Sequence, residues 1–516
     1  MPVEIESVGH TTTELCRPLR RYQDVADEVP SSPWAKKTVL SFDGGGVRGY
    51  SSLLILKSLM LKIKEIESEG PNGRFCSSSH YSWMGADSIS PNDNTLGDFL
   101  PCHYFDYIAG TSTGGLSAIM LGRLRMTVDE ALRQYETFGN NVFGKGRRCH
   151  IRSRFWFPRA KYSSEKAMLA FREIIHKSMT RNGQILPEYQ AEMELFPYRA
   201  DRTRTVVFSL SIGKKSGIDM VYLWRSYNHE TGINASDDAY KPLNASPAHM
   251  VPIWQIARAT SAAPLLFEPI TINNQNHFDG GLVANNPSTY VLHEVRALHG
   301  YSPKVFISIG CGLKKRGNGK TPAENSQAFD DDTVGTSKRK GGNVGKWHGF
   351  LGGVKHIMTD TEGVYGVQGW DNACNILHIE HRGRFNVEGE LATIALDDWK
   401  PPKSGRSTLD KIRQETYDYL SQEAVQEKIT KMARELVNIR RERAETERWE
   451  SFALDVAYRC PRSSCQGQSS RGCTNINNKN YSDQTLIKVH LKAKIIFKRP
   501  SFITKGKPGI IIIILP

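Results

Sequence analysis

A serine flanked by glycines is the first residue of this chain that could perform chemistry. Ser112 stands at the centre of Gly-Thr-Ser-Thr-Gly, between an apolar run that ends at Gly110 and a run of small residues that begins at Gly114. The pattern is typical of a nucleophile elbow, in which a strand turns sharply into a helix and exposes the serine hydroxyl. A serine that only caps a helix gives the same pattern. A catalytic serine also needs a base to accept its proton.

Asp279, in His-Phe-Asp-Gly-Gly, is one candidate for that base. An aspartate before two glycines is most often a turn former, but a carboxylate on a sharp turn can be aimed at a nucleophile. His277 is the rival, because residues two apart on a strand share one face of the sheet. None of the 15 histidines sits in a recognisable post-strand loop after an acid, as the order Ser, Asp, His of α/β-type serine hydrolases would require. The spacing alone leaves both bases open.

The stretch Phe-Asp-Gly-Gly-Gly-Val-Arg-Gly-Tyr, residues 42–50, is a candidate site for negative charge. Consecutive glycines after a strand let the backbone approach a ligand closely, and a helix start presents free N–H groups. The stretch lacks the Lys-Ser/Thr pair of a Walker A loop, and no acidic residue is placed as in a dinucleotide fold. An oxyanion hole needs only backbone donors, which favours that use.

Taken together and in this order, DGGGVRG, GTSTG and DGG resemble the motifs of the patatin-like phospholipases, a family of lipid acyl hydrolases, over roughly residues 36–310. The resemblance implies that Ser112 is the nucleophile and Asp279 the base, with no metal and no cofactor. YLWRSYN and ISIGCG are similar to fungal members, although Cys311 departs from the family's usual Gly-Thr-Gly. The resemblance also implies oxyanion-hole amides from Gly44, Gly45 and Gly46, and supporting positions at Arg48, Gly110, Gly114 and Gly280.

Short apolar runs alternate with helical periodicity around these motifs. A capping box at Thr127 and Glu130 predicts a helix start, and the charged segment 409–450 predicts one long helix. The alternation predicts an α/β fold, a three-layer α/β/α sandwich with a mainly parallel central sheet. The predicted strands are 36–42, 104–110, 204–212, 219–226 and 304–312, and further helices are predicted up to Gly70, up to about Arg123, and at 254–264 and 289–300.

Composition divides the chain into four expected parts. These are a polar leader at 1–35, a catalytic domain at 36–310, an extension with a mobile loop and a long helix at 311–459, and a basic, low-order tail at 460–516. The tail has ten Lys and Arg against one acid and so carries +9 of the net charge of +14, which leaves +5 for the rest. That small remainder gives no reason to expect nucleic-acid binding.

The sequence has no secretory h-region and no run of about 20 apolar residues, so we expect a cytoplasmic protein. Its nine cysteines are scattered, which favours free thiols, and they lack the paired spacing of a metal site. Residues 145–161 place seven Lys and Arg around Phe155, Trp156 and Phe157. That mixture suits peripheral contact with anionic lipid, although an ordinary solvated loop would also explain it.

These observations predict a serine lipid acyl hydrolase that cleaves fatty-acyl esters of phospholipids or related glycerolipids through an acyl-enzyme. Its expected partner is a membrane lipid or lipid aggregate, and not nucleic acid. One alternative is a patatin-type effector module of a larger fungal receptor-like signalling protein. No Walker A loop or repeat follows residue 310 to support that alternative. Another is an inactive lipid-binding relative, which the intact serine and aspartate motifs disfavour.

Overall fold

A computed structural model of the 516-residue chain describes residues 31–69, 78–80, 99–146, 160–180, 186–198, 201–213, 219–229, 243–313, 367–400 and 407–454. The predicted leader, the basic–aromatic stretch, the mobile loop and the basic tail lie wholly or mostly outside these ranges. So does a surface insertion that Gly, Ser, Pro and Asn predict at residues 71–97.

Within the described ranges, eight strands form one mixed sheet in the order β5-β6-β3-β2-β1-β7-β8, with β4 also paired to β3. The pairs of β1 with β2 and β7, of β2 with β3 and of β7 with β8 are parallel. β4, β5 and β6 pair antiparallel. The strands are β1 (Thr38–Phe42), β2 (Tyr107–Thr111), β3 (Arg204–Gly213), β4 (Asp219–Arg225), β5 (Ile270–Ile272), β6 (Gln275–Asp279), β7 (Val305–Ile309) and β8 (His381–Phe385).

Helices cover both faces of this sheet. A π-helix, Ile119–Arg123, directly follows the helix that Ser112 begins. The α-helices are α1 (Gly49–Ser68), α2 (Thr113–Ala118), α3 (Val128–Asn141), α4 (Ser164–Met179), α5 (Glu188–Met193), α6 (Ile253–Thr260), α7 (Gly281–Ala284), α8 (Ser288–His299), α9 (Val367–Ile376), α10 (Thr408–Leu420), α11 (Glu423–Ala444) and α12 (Glu447–Leu454).

The central strands are buried on both faces, which explains their continuous apolar runs. In β1 every residue is buried. Leu40 and Phe42 face one hydrophobic cluster, which they share with α1, α3, α4, α6, α10 and α11, whereas Val39 faces a second cluster with α8 and α9. The predicted three-layer α/β/α sandwich with a mainly parallel sheet is confirmed.

The predicted single helix at 409–450 is wrong, because the segment forms α10, α11 and the start of α12. Gln422 has extended backbone angles between the first two helices. The break lets both α10 and α11 pack on α1. The helix predicted at 254–264 also ends early, at Thr260, so that the following residues form a loop beside Ser112.

The domain boundary expected at residue 310 falls inside one sheet. β8 lies beyond that boundary and pairs in parallel with β7, with Ile309 opposite Phe385. Segment 381–400 therefore belongs to the same structural unit as the strands that carry the motifs.

The buried aromatic cluster at the C-terminal end of the described chain leads to a stability prediction. Trp449 is fully buried, and its ring lies 6.5 Å from that of Trp34 and 5.7 Å from that of Phe452. We expect Trp449→Ala to lower the free energy of unfolding by about 3–5 kcal/mol, because it empties a filled aromatic site. Tyr417→Ala, on a side chain that is 55% exposed, is the control and should cost far less. Equal losses in chemical denaturation would contradict the prediction.

Candidate active site

Ser112 occupies the sharp turn that its sequence context predicts. β2 ends at Thr111, α2 begins at Thr113, and Ser112 between them has φ 55° and ψ −127°. This strained backbone is supported by Thr260, whose hydroxyl oxygen accepts a hydrogen bond from the Ser112 amide at 2.8 Å. The Ser112 side chain makes no capping hydrogen bond to its helix. The alternative of a simple helix cap therefore does not describe this residue.

Two glycines around Ser112 are required by close packing. A Cβ at Gly110 would collide with the backbone of Gly114, and a Cβ at Gly114 would collide with the backbone of Phe42 and Asp43. These positions let the strand, the elbow and the glycine turn approach one another, as their predicted supporting role requires.

The Ser112 hydroxyl donates a hydrogen bond of 2.7 Å to Oδ2 of Asp279. Asp279 ends β6 and lies opposite Ser209 of β3. β3 also pairs with β2, the strand that leads to Ser112, so the sheet brings the two residues together. The other carboxylate oxygen of Asp279 accepts from the Gly281 amide at 2.7 Å. A Cβ at Gly280 would collide with the Phe208 backbone, so glycine allows the tight turn that aims the carboxylate.

Burial raises the pKa of Asp279 from 3.8 to about 7, although the hydrogen bonds from the Gly281 amide and the Ser112 hydroxyl act in the opposite direction. The side chain is only 1% exposed, so water gives its charge little stabilisation. A base with a pKa near neutrality accepts a proton readily and also returns it. The environment of Asp279 thus suits proton transfer at neutral pH.

The raised pKa of Asp279 predicts a pH-dependent stability. Because the folded pKa lies above the unfolded value, the protonated carboxyl favours folding, and this contribution is lost as pH rises from about 4 towards about 7. We expect Asp279→Asn to gain stability relative to wild type by about 2 kcal/mol between pH 5 and pH 8. Denaturant titrations at both pH values measure the gain. Ser112→Ala, which keeps the carboxyl, should retain the wild-type trend, and a constant Asp279→Asn difference would contradict the prediction.

The glycine turn lies beside Ser112, but its three amides are not equivalent. The Gly44 amide donates to the Asn285 carbonyl oxygen at 2.9 Å, so this predicted oxyanion donor is already engaged. No acceptor contacts the Gly45 or Gly46 amide within the described part of the chain. Both glycines line the pocket that contains Ser112 and Asp279. The predicted contribution of the Gly44 amide therefore does not fit the structure, whereas those of Gly45 and Gly46 stay predictions.

Gly46 and Arg48 anchor this turn to a segment far along the chain. Gly46 has φ 55°, and a Cβ there would collide with the Leu396 carbonyl group, so both conformation and space require glycine. Arg48 is buried and donates to the Ala392 carbonyl oxygen at 3.2 Å. Burial lowers the pKa of its guanidinium. Arg48 is not among the described residues that line the pocket, so it supports the turn from behind.

The sequence motifs gave no indication of the wall formed by segment 384–397. Arg384 donates through two nitrogens to the carboxylate of Asp43, at 2.9 and 2.5 Å, directly before the glycine turn. The Leu396 carbonyl oxygen accepts from the Val47 amide at 2.8 Å, and Leu396 also lines the pocket. These contacts join residues more than 300 positions apart, and no local motif marks the later ones.

His277, the rival base, lies elsewhere on the same strand. Its Nδ1 is 3.2 Å from the Ser209 hydroxyl, and its ring packs against Tyr222 and Trp224 with centroid distances of 5.1 and 4.8 Å. Burial lowers the pKa of His277 to about 4. His277 is not among the described residues lining the Ser112 pocket, so the geometry favours Asp279 as the base.

The pocket above the Ser112–Asp279 pair has largely apolar walls. Such walls suit an acyl chain better than a charged ligand. Within the described ranges, no cluster of three His, Cys, Asp or Glu could hold a metal ion. No helix there is sufficiently long and hydrophobic to cross a bilayer. The apolar wall residues are Phe138, Phe143, Ala263, Leu266, Phe267 and Leu396.

Residues 40–292, which contain the glycine turn, the elbow and the Asp279 turn, match the family model described as Patatin-like phospholipase. This segment of the chain is therefore of the patatin-like phospholipase type.

Individual relatives match over about half of this chain. Calcium-independent phospholipase A2-gamma of Homo sapiens is 29% identical over 280 residues, which cover 53% of this chain and 28% of the relative. Phospholipase A I of Arabidopsis thaliana is 26% identical over 302 residues, 53% of this chain and 20% of that protein. This chain thus spans less than a third of these relatives. The crystal structure of VipD from Legionella pneumophila aligns with a TM-score of 0.29 at 10% identity, over 75% of this chain and 67% of VipD.

Proposed function

We propose that the protein is a serine lipid acyl hydrolase that cleaves fatty-acyl esters of phospholipids or related glycerolipids. The observation that carries this proposal is the 2.7 Å hydrogen bond from the Ser112 hydroxyl to the buried Asp279 carboxylate, at the base of an apolar pocket. The names of the human and Arabidopsis relatives, both phospholipases, support the substrate class. From the similarity of YLWRSYN and ISIGCG to fungal members, we also propose that the protein is a fungal-type member of the family.

In the acylation step, Oγ of Ser112 attacks the ester carbonyl carbon while Asp279 accepts the hydroxyl proton. The tetrahedral oxyanion receives hydrogen bonds from the Gly45 and Gly46 amides, which face the pocket without another acceptor among the described residues. Donors fixed in advance stabilise this charge strongly in a site that excludes water. Thr113 is a third candidate donor, since the first amides of a helix are not used within it.

To complete acylation, Asp279 returns the proton to the leaving alcohol or lysolipid. The acyl-serine is then attacked by water, and Asp279 takes a proton from that water. The same amides hold the new oxyanion. When the bond between the acyl carbon and Oγ of Ser112 breaks, Asp279 returns the proton to Oγ and the free fatty acid is released. The pKa of Asp279 near 7 allows it to act first as base and then as acid in each half.

The substrate of such an enzyme is presented in a membrane or lipid aggregate, so the proposal includes peripheral contact with a lipid surface from the cytoplasm. The basic and aromatic stretch 145–161 is the candidate contact, although residues 147–159 lie outside the described part of the chain.

Turnover of a lipid panel tests the proposed function. Purified protein should release free fatty acid from at least one of phosphatidylcholine, galactolipid and triacylglycerol, measured by mass spectrometry. A fluorophosphonate probe, which modifies activated serines, should label the same preparation. A folded protein that releases no fatty acid and takes no label would reject the assignment.

A further inference from the structure

A second cavity lies behind the nucleophile. It lies between α2, the π-helix, α3, α4 and α6. None of the described residues that line it is charged. A polar ligand would lose its hydrogen bonds with water there and regain few, whereas methylene groups lose none. The residues that matter for its role are Leu116, Ile119, Met120, Phe138, Ile174 and Ala257.

One wall of this cavity continues directly from Ser112. Leu116 lies on α2, the helix that directly follows Ser112, and Ile119 and Met120 lie in the π-helix after it. A π-helix inserts an extra residue into a helical turn and is frequent at functional sites. Tyr135 also lines the cavity, and its hydroxyl donates to the Gly46 carbonyl oxygen in the glycine turn. The cavity therefore adjoins both the nucleophile and the oxyanion donors.

Phe138 separates this cavity from the catalytic pocket, because its ring lines both. The ring stacks on Phe171 at 5.0 Å and meets Phe143 edge-on at 5.6 Å. Phe143 lines only the catalytic pocket, and Phe171 lines only the second cavity. The three rings thus form a row that runs from one space into the other, with Phe138 as the partition.

We propose that the second cavity is a binding site for the distal part of a long fatty acyl chain, and that Phe138 is the gate through which the chain enters. This inference rests on the proposed acyl hydrolase function. The carbonyl carbon lies at Ser112, the first methylenes lie along Phe143 and Phe267, and the chain then passes Phe138 towards Ile174 and Ala257. The site selects chain length and makes no contact with the head group.

Alkyl fluorophosphonates with chains of six and sixteen carbons test the site directly. They react with Ser112 in solution, so the measurement does not depend on binding to a lipid surface. We expect Ala257→Leu to lower the ratio of C16 to C6 labelling rate constants at least about tenfold, since each methylene kept in water costs roughly a factor of four. Phe138→Ala removes the partition and should raise the same ratio. Phe267→Ala is the matched control, because Phe267 lines the catalytic pocket and not the second cavity, and the substitution should change both rate constants alike.

The outcomes separate the two proposals. An unaltered C16 to C6 ratio in folded Ala257→Leu would overturn the acyl site, as would an unaltered ratio in Phe138→Ala. If Ala257→Leu fails to fold, Phe138→Ala decides the question by itself. Failure of the proposed function has a different signature, because wild type would then take neither the C6 nor the C16 probe.

Discussion

Ser112→Ala is expected to give a folded protein that loses lipid hydrolysis by about 10⁴-fold or more, the scale on which removal of a nucleophile acts. The same variant should take no fluorophosphonate label. The reason is that the Ser112 hydroxyl is the group that donates to the buried Asp279 carboxylate, at 2.7 Å, beside the Gly45 and Gly46 amides that we propose as oxyanion donors. Fatty-acid release and probe labelling measure the two effects.

A serine on the same helix provides the control for this loss. Ser117 is buried, and its hydroxyl donates to the Thr113 carbonyl oxygen at 3.3 Å. Ser117→Ala removes a hydroxyl of the same size from the same helix and should keep most of the activity. Persistent labelling of folded Ser112→Ala would place the nucleophile elsewhere.

Asp279→Asn is expected to reduce kcat/KM by about 10²- to 10⁴-fold, the contribution of a general base. The amide keeps the shape of the carboxyl group and can still accept from the Gly281 amide, but it cannot take the Ser112 proton. His277→Ala should cost much less, because that ring contacts Ser209 and two aromatic rings instead of the nucleophile. The activity of wild type should rise as pH passes about 7, since only the ionised Asp279 can act as base.

The pair of variants decides between the two bases more sharply than the pH profile does. The unperturbed pKa of histidine, about 6.5, lies close to that of Asp279. If His277→Ala were as inactive as Ser112→Ala while Asp279→Asn stayed active, a histidine-based mechanism would have to replace the dyad.

Features set by neighbouring residues could be predicted from the sequence. The elbow at Ser112 follows from a buried strand, a glycine-flanked serine and a small-residue helix, and the structure has that order. The capping box predicted at Thr127 and Glu130 is confirmed, with both reciprocal hydrogen bonds present. Periodicity also located the central strands, because strands buried on both faces are apolar throughout.

Features set by distant segments could not be predicted. Arg384 and Leu396 contact the glycine turn only because β8 joins the sheet beside β7, and neither residue stands in a motif. Thr260, which supports the Ser112 amide, lies 148 positions away in sequence. The engagement of the Gly44 amide by Asn285 depends on the packing of two turns. Contacts of this kind between distant segments cannot be predicted from the spacing of residues along the sequence.

The position of β7 and β8 in the sheet bears on aggregation. The family match ends at residue 292, yet β1 is paired on one side by β7, residues Val305–Ile309. A chain trimmed to the matched span would leave that side of β1 as an open edge, and every residue of β1 is buried in the intact protein. Exposed apolar edges are templates for pairing with another chain. The later strands thus protect the sheet from self-association as well as completing the site.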